Sequence, residues 1–109
     1  MNNNERHSKA QWRKLKELAG EVYRIELDAE LDKLFDIFQS WKSGETDCWD
    51  VEEAIHKFHQ GPSRKLYSYH NDVDADIIVA WAVKSGILST DKVPEDLLED
   101  IKHIMAIYD

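Results

Sequence analysis

Fifteen residues, HKFHQGPSRKLYSYH from His56 to His70, gather three histidines, two tyrosines, an arginine and a Gly-Pro step. One turn upstream stands Glu52. On a helix turning about 100° per residue, Glu52, His56 and His59 follow an i, i+4, i+7 spacing and fall within an arc of about 60°. One carboxylate and two imidazoles so placed form a ligand set for a divalent ion such as zinc, with His70 or an acid from a neighbouring helix closing the shell. The HxxH order differs from the HExxH of zinc proteases, and histidines at the edge of an apolar face also serve as hydrogen-bonded packing residues. The expectation is therefore no cofactor, with zinc at Glu52, His56 and His59 as the alternative. The step GPSR, Gly61 to Arg64, would turn free backbone N–H groups outward at a helix start beside Arg64 and Lys65, within reach of His59. Those are the ingredients of a small anion site. No GxxxxGK[ST] loop is present. Glu52, His56, His59, Arg64, Tyr67 and His70 together define the candidate pocket.

Arg64 and His70, with five residues between them, resemble the Arg, four to six residues, His motif of the HEPN family of helical ribonucleases and nucleotide-modifying toxins. The resemblance covers those two positions and a helical bundle; Lys65 stands where that family usually has a small polar residue or histidine. It implies chemistry on RNA phosphate, with His70 near a reactive 2′ hydroxyl. On one continuous helix the two residues are separated by about 9 Å of rise, so they would cooperate only in a bent helix or a dimer.

Other chemistries are excluded by spacing. Glu53 to His56 and Asp100 to His103 have the acid, two residues, histidine step of di-iron bundles. His103, however, lies well over 100° from its helix's apolar stripe and faces water. Asp72, Asp74 and Asp76 begin like a calcium-binding loop, but Ile77 replaces the required glycine and Val83 the bidentate glutamate. Those acids suit the start of a helix instead, where they cap N–H groups and complement the dipole. Cys48, the single cysteine, lies between Asp47 and Asp50, whose charges oppose a thiolate. No GxSxG elbow or glycine-rich dinucleotide loop occurs.

The chain that must position these residues has 109 of them, enough for one domain around one core. Residues 1–7 are expected to be a disordered tail. No signal-like or membrane-spanning run is apparent, and one cysteine suits a reducing compartment, so the expected location is cytoplasmic. The net charge is -8, distributed as +3 over residues 1–24 and -11 over the rest. An acidic body repels nucleic acid and anionic membrane, so neither is an expected partner. The basic first helix is expected to dock on that acidic body.

Apolar residues Trp12, Leu15, Leu18, Ala19, Val22 and Tyr23 form one helical stripe, and Leu27, Leu31, Leu34, Phe35, Phe38 and Trp41 a second. On one wheel the stripes differ in direction by about 120°, so a break or kink is expected at Glu26 to Ala29, with Asp28 capping the next helix. Gly44 supplies a stop. Asp50 and Glu53 have capping-box spacing, Trp49 is the apolar staple before them, and the third helix should run to Gly61. Pro62 then opens a short helix through about His70, so the chain would fold back at the Gly-Pro corner as a hairpin. The run Ile77 to Val83, IIVAWAV, reads as a helix rather than a strand because alanines favour helix, acids precede it and Gly86 closes it. Pro94 starts a helix with the stripe Leu97, Leu98, Ile101, Ile104, Met105 and Tyr108. The four tryptophans should pack between helices.

The expected fold is all-α, a compact bundle of five or six helices around a central apolar helix at about residues 73–85. The expected function is a protein-interaction or regulatory module with a protein partner or a homodimer. The alternative is a metal- or phosphate-binding enzyme at the His56 to His70 hairpin.

Overall fold

A computed structural model describes residues 6–107, and among them every regular element is helical. There are four helices. Helix α1 is Lys9–Lys42; α2 covers residues 48–72 as Cys48–Phe58, a π-helical turn His59–Ser63 and Arg64–Asp72; α3 is Ala75–Lys84 and α4 is Glu95–Ile107. A 3-10 turn, Thr90–Lys92, precedes α4. The described chain divides into two compact units: residues 6–23 with 70–107 form the first, and residues 24–69 form the second.

In the first unit, α1 contributes Trp12, Leu15, Leu18, Ala19 and Val22 to the core. Helix α3 supplies Ile78, Val79, Ala80 and Ala82, and Leu88, Val93, Leu97 and Ile101 complete it. Each large aliphatic side chain so buried contributes about 1.5–3 kcal/mol. The IIVAWAV run is helical as expected, but it is not a surrounded spindle. Trp81 is 41% exposed on its outer face, so four helices replace the expected five or six around a centre.

Helix ends follow local chemistry. Helix α1 begins with a capping box: the Gln11 N–H donates to Ser8 Oγ at 3.1 Å, and the Ser8 N–H donates to Gln11 Oε1 at 2.9 Å. It ends at Gly44, where φ is +84°. There the Glu45 N–H reaches the Ser40 carbonyl at 2.8 Å and the Gly44 N–H that of Trp41 at 3.1 Å. Gly86, with φ +82°, closes α3 in the same way through Ile87 to Ala82.

Four local expectations are corrected. Helix α1 runs unbroken from Lys9 to Lys42, so Asp28 lies inside a helix and caps nothing. The two stripes belong to different units, the first buried and the second half-buried to exposed, so no kink is needed to serve one neighbour. The capping box of α2 is Asp47 with Asp50, at 2.9 and 3.2 Å, three residues before the expected one; Trp49 is 72% exposed and staples nothing. Gly61 and Pro62 do not make a corner. Proline lacks an N–H and its ring clashes with the carbonyl four residues back. A π turn widens the helix and absorbs both defects, so α2 continues through Arg64–Asp72.

The tryptophans also differ from expectation. Only Trp12 is buried, whereas Trp41, Trp49 and Trp81 are exposed. Of the expected tail, residues 1–5 lie outside the described residues, as does Tyr108, but Arg6 and His7 are firmly placed, as described below. No described helix is long and apolar enough to cross a membrane.

Candidate functional site

With the corner gone, the predicted pocket is drawn out along a rod. Glu52, His56, His59, Arg64 and Tyr67 are all exposed side chains of the continuous α2. Fifteen residues of rise from Glu52 to Tyr67 amount to about 20 Å. The Glu52 carboxylate lies 3.8 Å from His56 Nε2, both groups largely in water, so the contact contributes little. Among the described residues no group of three His, Cys, Asp or Glu side chains is placed to hold a metal; Glu52, His56 and His59 share a helix face but do not converge. His70 belongs to the first unit, where its ring stacks on Tyr23 with centroids 4.4 Å apart.

The best-built polar cluster involves residues that sequence spacing did not single out together. Asp76, in the first turn of α3, is fully buried. Its carboxylate accepts from Arg6 Nε at 3.0 Å and His7 Nε2 at 3.0 Å, and its Oδ1 accepts from the Ile77 N–H at 2.9 Å. A carboxylate only accepts, so Nε2 carries the proton in the His7 pair. Arg6 Nη2 also reaches Asp74 at 2.9 Å. Hydrogen bonding to Asp76, reinforced by Asp74 and opposed by partial burial, raises the Arg6 pKa above its ordinary value. The His7 ring packs edge-on against Trp12 at 4.8 Å, and its buried Nδ1 has no hydrogen bond, with Asp100 Oδ2 3.6 Å away. These contacts tie the segment ahead of α1 to the start of α3. Arg6, which precedes α1, is thus one basic residue of the first twenty-four that meets acids of the body.

Two grooves flank these elements, one in each unit. In the first unit a groove of about 550 Å³ is lined by Trp12, Lys16, Gly20, the Tyr23–His70 stack, Val73, Asp74 and Ile78. Lys16 has no ion pair among the described residues. In the second unit a groove of about 370 Å³ runs between α1 and α2, with Leu34, Ile37, Ala54, Phe58 and Pro62 as its apolar wall. Elsewhere in this unit, burial and the charge of Glu26 raise the Tyr69 pKa above its ordinary value.

Apolar exposure is concentrated in the second unit. Among the described residues, 24–69 hold one of the fourteen buried core hydrophobics, Val51, but seven of the ten exposed large ones. On α1 these include Leu31 and Phe35, the latter 57% exposed. At about 100° per residue, the groove residues Leu34 and Ile37 face one way while Leu27, Leu31, Phe35 and Phe38 cover the adjoining arc. The sequence held this signal in its second stripe, but the expectation of tryptophans packed between helices concealed it.

No protein family, no curated protein and no solved structure matches the chain.

Proposed function

We propose that the protein is a helical interaction module and that residues 24–69 are its binding element. The observation that carries this reading is the imbalance within that unit: a single buried core hydrophobic beside an exposed arc that includes Leu31, Phe35 and Trp41. A helical hairpin of 46 residues is near the lower size limit for a self-sufficient core. A contiguous apolar arc rimmed by charge is the usual mark of a contact surface. Phe35→Glu tests the proposal at its most exposed point on α1. Sedimentation velocity and pull-down with wild-type and Phe35→Glu baits should show an assembly or a partner that the variant loses. A strict monomer at high concentration, with no partner sensitive to Phe35→Glu, would defeat it.

The groove of the first unit supports a second reading, binding of a small organic anion. Lys16 would meet the charge, and Ile78, Val73 and Trp12 the apolar body. Calorimetry with decanoate should show heat that Lys16→Gln abolishes; no heat, or heat unchanged in the variant, would refute it. The zinc or phosphate enzyme at Glu52, His56, His59, Arg64, Tyr67 and His70 is less well supported, because the first five are exposed along about 20 Å of one helix.

A further inference from the structure

Resting on the interaction reading, we infer that the occupant of the exposed α1 face is a second copy of this chain, with the two α1 segments running antiparallel about a twofold axis level with residue 36. Leu27, Leu31, Leu34, Phe38 and Trp41 recur at steps of four, three, four and three, the spacing of a helix–helix seam. They occupy an arc of about 80°. Leu31 and Trp41 are exposed, and Leu34 and Phe38 half-buried.

Antiparallel packing sets each seam residue against one whose number brings the pair to a constant sum. With a sum of about 72, Leu31 meets the partner's Trp41 and Leu34 meets the partner's Phe38, and symmetry supplies the reverse pairs. Leu27 alone falls opposite a polar residue, the partner's Glu45, which lies beyond the end of α1. Phe35 then lies beside the partner's Phe35 near the axis, as a twofold contact requires of a residue close to it.

Charge gives the second, independent argument. Asp28 and Lys42 flank the two ends of the seam. Both are exposed, and neither has an ion pair among the described residues. Nearby Lys33 and Lys57 are already engaged by Glu30 and Glu53, at 3.0 and 3.1 Å. Lys42 Nζ lies 4.7 Å from the Trp41 ring, on the seam side of its helix. In the antiparallel register Asp28 stands beside the partner's Lys42, and the same pair recurs at the other end. In a parallel pairing this flank of one copy and the same flank of the other lie on opposite sides of the seam, so Asp28 and Lys42 do not meet.

Sedimentation equilibrium of the full chain tests this with four proteins: wild type, Asp28→Lys, Lys42→Glu and the double exchange. These positions are exposed, so folding is retained, with helical circular dichroism as the check. Wild type should be dimeric. Each single exchange replaces two attractive pairs by two repulsive ones and should weaken the dimer about tenfold or more. The double exchange should recover affinity to within about threefold of wild type. A dimer insensitive to the single exchanges, or a double exchange no tighter than the singles, overturns the register while leaving the interaction reading intact. A wild-type monomer that still binds another protein through Phe35 overturns self-pairing alone; a monomer with no such partner overturns both.

Discussion

Replacing Asp76 by alanine should be among the most damaging single changes in the first unit, and the structure sets the size of the loss. Its side chain is fully buried and receives Arg6 Nε and His7 Nε2, each at 3.0 Å. Without the carboxylate, His7 keeps a buried Nε2–H with no acceptor, costing about 1–3 kcal/mol. Arg6, a third exposed, can swing into water, so its share is that of a partly screened pair, about 1 kcal/mol. Loss of a negative charge in the first turn of α3 adds about 0.5 kcal/mol. The total is about 3 kcal/mol, which lowers the melting temperature by about 10–20 °C for a unit of this size. Asp74→Ala is the matched control: it removes the same charge two residues away, but from a side chain 38% exposed, so it should cost about 1 kcal/mol or less. Urea and thermal unfolding followed by circular dichroism read both variants. If Asp76→Ala is no more destabilising than Asp74→Ala, the buried carboxylate does not hold the structure as argued.

Three further outcomes follow from local features. Gly86→Ala should cost about 1 kcal/mol in urea unfolding, because φ is +82° while no atom lies within 4 Å of the added Cβ, leaving backbone strain as its sole cost. Pro62→Ala restores a backbone donor inside α2 and improves helix propensity; it should raise the melting temperature, and a lower one would mean that the π turn is itself a stabilising element. Tyr69 has a raised pKa in the folded chain through burial first and Glu26 second, so stability from its neutral form is complete below the unfolded value of about 10 and is lost as pH climbs through the higher folded value. Ultraviolet titration should therefore show a late-ionising phenol that Tyr69→Phe removes.

Much of the fold can be read locally. Gly44 and Gly86 mark helix ends because a left-handed residue is needed there and glycine takes it without strain. The run from Ile77 to Val83 is helical because Ala80 and Ala82 outweigh its β-branched residues. The misreadings come from choosing one of several valid local signals. Asp47 and Asp50 satisfy a capping box as well as Asp50 and Glu53 do, and Ser8 with Gln11 was an equally legible pair. Pro62 looked like a terminus because its effect on an α-helix is local, whereas a π turn preserves the helix on either side. Asp76 was legible only as one of three acids before a helix. What distinguishes it is burial against Arg6 and His7, about seventy residues away, and no periodicity encodes a contact of that range.

The two stripes of α1 show why a rotation in hydrophobic pattern has two physical solutions. Either the helix breaks to keep one neighbour, or it runs on unbroken and changes neighbours. A bend needs a residue that weakens the helix, and the interval Glu26, Leu27, Asp28, Ala29 contains neither glycine nor proline. Breaking the ladder there would sacrifice backbone hydrogen bonds among residues that favour helix. The unbroken Lys9–Lys42 helix follows from that comparison. Its cost falls on the second stripe, which receives one neighbouring helix, α2, where the first stripe is enclosed by α3 and α4. A single neighbour covers roughly half of an apolar arc this wide. The uncovered half, Leu31 with Phe35, is therefore a consequence of keeping the helix unbroken.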